Sequence, residues 1–209
     1  MRFANVDGIK AEASPKLRGT CAACNAEVLS KCGKHVVWHW AHKGRRNCDR
    51  WWESETDWHR AWKNQFPNEW QEIIHIDPKT SEKHIADIRT SSGLVLEFQH
   101  SPIHPDEVNS REMFYGNMIW IVDGCRNELD KNFFSLSISK PIEQGTSNFP
   151  IRWWGPSKLF ANWAASRKSV YVDFGGDLLW KVSNFDVRNK AGIVVPHDRA
   201  TLIQTWAEP

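Results

Sequence analysis

The segment KHIADIRTSSGLVLEFQHS, residues 83–101, decides how this chain is read. HIADIR and LVLEFQH are rich in β-branched and apolar residues, and the Ser-Ser-Gly after Thr90 is turn chemistry. The segment therefore reads as two strands of one hairpin. Asp87, Glu97 and Gln99 fall within it. Side chains two apart on a strand share a face, so Glu97 and Gln99 point the same way, and the hairpin is expected to bring Asp87 beside them. Acids of one sign among Ile85, Ile88, Leu94, Leu96 and Phe98 are costly to bury unless a cation neutralises them, and hard oxygen ligands suit Mg2+ or Mn2+. On an exposed strand face the same residues would be ordinary solvated side chains.

The neighbouring stretches extend the pattern on both sides. Upstream, ESETDWHRAWKNQF (53–66) spaces Trp58, Trp62 and Phe66 by four, which predicts a helix with an aromatic stripe that Pro67 stops. EWQEIIHI then reads as a strand. Downstream, Pro105 to Tyr115 reads as a helix opened by its proline, and NMIWIVDG as an apolar strand closed by Asp-Gly. The expected order is helix, three-stranded antiparallel meander, helix, strand. Beyond Arg126 the pattern weakens. FFSLSI reads as a strand, PSKLFANWAAS as a helix, and SVYVDFGGDLLWKV as two strands around Gly175 and Gly176, together extending or covering the same sheet.

The amino-terminal stretch has a different character. Residues 1–14 look like a lead-in, and from Pro15 to about Arg50 short β-like runs alternate with Cys, His and Gly, the look of a small metal-stapled module. Cys21-x2-Cys24 is followed by His39-x2-His42, two pairs of ligands of the kind a tetrahedral Zn2+ site uses. Cys48 and Cys32 compete as the fourth ligand. An odd total of five cysteines, without a secretory-type apolar leader, favours metal binding over a disulfide framework and gives a cytoplasmic expectation. No run approaches the roughly 18 apolar residues of a membrane span.

Two further features bear on partners. Glu55, His59 and Lys63 stand at intervals of four and so share one helix face. They form either an ordinary Glu-to-Lys salt-bridged surface or a set that holds an ion, its water and a phosphate. The first 63 residues hold 12 Lys/Arg against 7 Asp/Glu, whereas the whole chain has a net charge of only +2. The basic end is the better polyanion face. Six of the 13 tryptophans fall between Trp38 and Trp62, where indoles serve the core or stack on unpaired bases.

Taken in order, Cys21-x2-Cys24, HWAH (39–42), ESETDWH with Lys63, HIADIR, LEFQHSPI and REMFYGNMIWIVDG resemble the competence protein CoiA-like family. The resemblance implies an α/β protein with a zinc-finger-like module over residues 1–50. It also implies a restriction-endonuclease-like core of the PD-(D/E)XK nuclease superfamily, with a carboxyl-terminal extension, over residues 51–209. It makes Asp87 and Glu97 the core carboxylates that bind Mg2+ or Mn2+. Gln99 fills the place of the usual lysine. Glutamine can orient by hydrogen bonds but brings no charge, so Lys63, reaching in from the helix, is expected to replace it. Ser101 and Arg111 are candidate phosphate contacts, and His100, facing away from Gln99, is given no catalytic role.

The expected activity is Mg2+-dependent hydrolysis of DNA phosphodiester bonds in DNA processing or recombination. Binding should be sequence-independent and strongly salt-dependent. The alternative is a noncatalytic DNA-binding mediator that keeps the nuclease fold, favoured by the glutamine at 99. A third reading, in which the Cys/His pairs bind a protein and the acids are solvated, predicts neither Mg2+ nor DNA binding.

Overall fold

The computed structural model describes residues 1–44, 48–143 and 145–208. It is mixed α/β with four α-helices among the described residues, and it divides into two compact units, Met1–Arg89 and Thr90–Pro209. No helix among the described residues is long and apolar enough to cross a membrane.

Unit 1 opens on strands, not on a lead-in. Phe3–Val6 (β1) and Ile9–Glu12 (β2) form an antiparallel hairpin around Asp7 and Gly8, both at positive φ. The Asp-Gly turn was a readable signal, but four-residue strands are too short for alternation to stand out. Arg18–Thr20 (β3), Glu27–Lys31 (β4) and His39–His42 (β5) complete a five-stranded antiparallel sheet in the order β2-β1-β3-β4-β5. Its core is small, built on Met1, Ala4, Ala13, Cys21, Val28 and Trp40.

The rest of unit 1 is one helix and a strand pair. Asp57–Lys63 (α1) is shorter than the aromatic stripe implies, because the Thr56 side chain caps it by accepting from the His59 amide. Glu55 therefore precedes the helix and does not lie on it. Gln71–Ile76 (β6) and Lys83–Arg89 (β7) pair antiparallel, with Gln71 opposite Ile88 and Ile73 opposite Ala86.

In unit 2, Val95–Gln99 (β8) follows a turn in which the Thr90 amide donates to the Leu94 carbonyl. The helix Pro105–Tyr115 (α2) crosses to Met118–Asp123 (β9), which runs parallel to β8. Ser169–Asp173 (β11) is parallel to β9 in turn, so the carboxyl-terminal region does extend this sheet. Leu178–Asp186 (β12), Ala191–Asp198 (β13) and Phe149–Arg152 (β10) add antiparallel strands, giving the order β10-β13-β12-β11-β9-β8. The helix Arg199–Ala207 (α4) closes the unit, capped by Asp198.

Two expectations for the tail are corrected. FFSLSI is no strand: Asp130–Ser137 (α3) is helical, with burial at Asp130, Phe134 and Ser137 and Leu136 turned to solvent. That is a period near 3.6 where 134, 136 and 138 had suggested two. PSKLFANWAAS holds only a 3-10 turn, Ala161–Trp163, whose i-to-i+3 bonds bring Phe160 and Trp163 into the core.

Phe134 is the centre of the largely aromatic core of unit 2. It stacks on Phe174 with centroids 4.2 Å apart and meets Trp180 edge-on at 4.9 Å. Phe134→Ala is expected to destabilise unit 2 by about 3 to 5 kcal/mol in urea denaturation, because the ring and its contacts are lost together.

Candidate metal centre and charged cluster

The tetrahedral candidate is built by a turn and two strand ends. Between β3 and β4 the chain reverses through Cys21–Asn25. The Asn25 amide donates to the Cys21 carbonyl at 2.8 Å, and Asn25 takes the left-handed conformation. This sets Cys21 and Cys24 on one side of a turn that His42, at the end of β5, and Cys48 complete. The ligand atoms of Cys21, Cys24, His42 and Cys48 all lie within 4.8 Å of one another. Cys24 Sγ is 3.3 Å from His42 Nε2, and Cys21 Sγ is 3.6 Å from Cys48 Sγ.

These separations suit zinc. Ligands at about 2.0 to 2.3 Å from a tetrahedral ion stand roughly 3.3 to 3.8 Å apart. Burial, and then the neighbouring Cys21 and Cys24, push the Cys48 thiol up to about 12. A divalent cation at the centre of the group reverses that cost by favouring thiolates. With four protein ligands, such a site is closed and structural.

His39 is not in the group. Its Nδ1 faces the Val37 carbonyl oxygen at 2.8 Å. His39 and His42 are three apart on β5, so they lie on opposite faces of the strand, and Cys48 takes the fourth place. Cys32 is also outside the group.

The segment after Cys48 ties this centre to β7. The Asp49 carboxylate accepts from His84 Nδ1 and from the Ile85 amide, both at 2.8 Å. Burial opposes ionisation of Asp49, but the His84 and backbone hydrogen bonds outweigh it and hold the carboxyl below its usual range. Trp51 stacks on the His84 ring at 3.3 Å.

The second cluster surrounds Lys63. The sequence places Lys63 on a helix face; the structure buries it, with Nζ 3.1 Å from Asp87 Oδ1, 3.2 Å from Glu72 Oε1 and 3.3 Å from Glu55 Oε2. Burial alone would lower the Lys63 pKa, but the carboxylates of Asp87, Glu72 and Glu55 raise it well above the ordinary lysine value. His59 is also buried. Its Nε2 meets Glu53 Oε2 at 2.9 Å, and its Nδ1 meets Thr56 Oγ1 at 2.8 Å.

Glu72 went unnoticed in the sequence, where it is one polar residue of an ordinary strand. In the structure it takes φ +50°, rare for a residue with a side chain. Besides Lys63 it accepts from the amides of Arg2 at 2.6 Å and Phe3 at 3.0 Å. Burial works against its ionisation. Lys63, the terminal amine and these amides nevertheless hold the carboxyl at about 2.

Unit 2 carries the other predicted residues. Glu97 is buried on β8, and its Oε2 accepts from Arg111 Nη1 at 3.1 Å. Arg111, a candidate phosphate contact in the sequence, is instead buried between Glu97 and Glu107 with its guanidinium over Trp120. Gln99 donates from Nε2 to the Ser101 carbonyl at 2.8 Å. His100 Nδ1 is 2.7 Å from Asp123 Oδ2.

The fit to a hard cation differs between the two acids. The Asp87 side chain is 22% exposed, against 4% for Glu55 and 8% for Glu72, so Asp87 is the member of its cluster most open to solvent. An ion at Glu97 shares that carboxylate with Arg111.

Residues 8–50 match the family model of the competence protein CoiA N-terminal domain. The match includes all four residues of the Cys3His group. No curated protein and no solved structure matches the chain.

Three outcomes are expected. Cys48→Ser lowers zinc content in metal analysis of the purified protein, whereas His39→Ala leaves it unchanged. Lys63→Met, which strands buried carboxylates, costs about 3 to 5 kcal/mol in denaturant unfolding. Glu72, with a depressed pKa, contributes stability that is complete above its ordinary value of 4.5 and lost as pH falls towards about 2. Glu72→Gln should accordingly flatten the acid limb of a stability-versus-pH curve over that window.

Proposed function

We propose that this chain is a CoiA-like, metal-dependent nuclease that hydrolyses DNA phosphodiester bonds, with a structural zinc group in its first unit. The observation that carries this reading is the 3.1 Å contact between Lys63 Nζ and Asp87 Oδ1. Gln99 lacks the charge that the PD-(D/E)XK pattern puts at its place, and Lys63 supplies an ammonium beside the acid of that pattern. Lys63 fixes the orientation of Asp87 through this ion pair. It also brings positive charge to a site that must accept a phosphodiester.

Asp87 would be a ligand for Mg2+ or Mn2+, and Glu97 is the second carboxylate that the PD-(D/E)XK pattern calls for; the ion's contribution when bound is Lewis acidity towards water and phosphate. In unit 1, Trp38 and Trp52 are 47% and 43% exposed, which suits them to stack on unpaired bases. Together with the basic residues of this unit they favour DNA contacts that follow the backbone and do not read sequence.

The Glu97–Arg111 ion pair favours a second reading, a noncatalytic DNA-binding mediator. There the guanidinium permanently neutralises the acid that an ion would need.

A cleavage assay separates the two. Labelled single-stranded, duplex and branched DNA are incubated with the protein and Mg2+, Mn2+ or EDTA, beside Asp87→Asn and Glu97→Gln. Metal-dependent cleavage lost in both variants is the expected result, with a drop of at least a hundredfold. DNA binding without cleavage in any metal would replace the nuclease reading with the mediator.

A further inference from the structure

Unit 2 contains a cavity of about 340 Å3 to which no role has been given above. It opens beyond the carboxyl ends of the parallel strands β8 and β9. Its walls include the residues that follow β8, His100 to Ile103, and the end of β9, Val122 and Asp123. Crevices at this edge of a parallel sheet are where α/β folds receive ligands.

The chemistry of the lining is graded from inside to mouth. Trp163 is buried and contributes an indole wall, with Leu159 beside it. Asp130, at the start of α3, is 4% exposed, and its Oδ1 is buried without a hydrogen-bond partner. A buried carboxylate oxygen in that state is costly unless a donor reaches it from within the cavity. Asn162 adds an amide that can donate or accept. Arg126 and Lys158 line the same cavity but are exposed, so positive charge is concentrated at the entrance. His100 is held against Asp123 at 2.7 Å, which fixes one wall.

We infer that this cavity binds a nucleoside monophosphate, with the base against Trp163 and its N–H edge on Asp130, and the phosphate at Arg126 and Lys158. The size suits one nucleotide. An aromatic wall beside an unpaired acceptor is the recognition chemistry of a base, and exposed cations at the mouth suit a phosphate that remains partly hydrated. Ser157 already hydrogen-bonds to the Asp130 carboxyl, so Oδ1 is the oxygen left for the base, and guanine, with two donors side by side on one edge, has one to give it. The inference stands on unit 2 alone and does not depend on nuclease activity.

Isothermal titration of the full chain with guanosine monophosphate tests it, with ribose 5-phosphate and inorganic phosphate as comparison ligands. The nucleotide is expected to bind at least tenfold more tightly than either comparison ligand. Asp130→Asn, nearly isosteric, and Lys158→Glu, at an exposed position, should each weaken it at least tenfold while thermal unfolding shows an intact fold. Three results overturn the inference: no nucleotide binding at millimolar concentration, phosphate binding as tight as the nucleotide, or affinity unchanged in both variants.

Discussion

A buried ammonium among carboxylates is the constraint on which unit 1 is organised. Lys63 loses its hydration in the interior, and only charge of the opposite sign within about 4 Å makes that tolerable. Three separate stretches meet the requirement: Glu55 ahead of α1, Glu72 on β6 and Asp87 on β7. Helix and strand pair are thereby locked in one arrangement. Glu72 shows how strongly: it is held in a left-handed conformation by partners from β1 and from α1 at once. The cluster trades stability for placement, since apolar residues at all four positions together would fill the same volume without desolvating any charge.

The zinc-type group solves a different problem in the same unit. Among the described residues, the five-stranded sheet has Trp40 and Val28 as its only large, fully buried side chains. Burial on that scale leaves little free energy to offset the conformational entropy of about fifty residues. An ion held by these four ligands would supply what the core lacks.

The elements around residues 83–101 were legible because they are long, periodic and bounded by Pro or Gly. The helix, β6, β7, β8, α2 and β9 all appear in the expected order. The α3 segment was not legible, since Phe134, Leu136 and Ile138 satisfy a strand period as well as Asp130, Phe134 and Ser137 satisfy a helical one. Among site residues, the paired cysteines and His42 were readable from spacing. His39 could have been excluded by strand parity once HWAH was read as a strand. Glu72 and the burial of Arg111 depend on which faces meet, and a single sequence does not carry that information.

Cys48 and Asp87 are far apart in sequence, yet a short covalent and hydrogen-bonded path joins them. Cys48 is followed by Asp49, which grips His84 and Ile85 on the strand that carries Asp87. A lesion in the cysteine group would therefore be transmitted to the register and tilt of β7. In a mutational survey of this protein, cysteine substitutions would be mistaken for damage to the Lys63 cluster, and variants beyond the Asp49 clamp would tell the two apart.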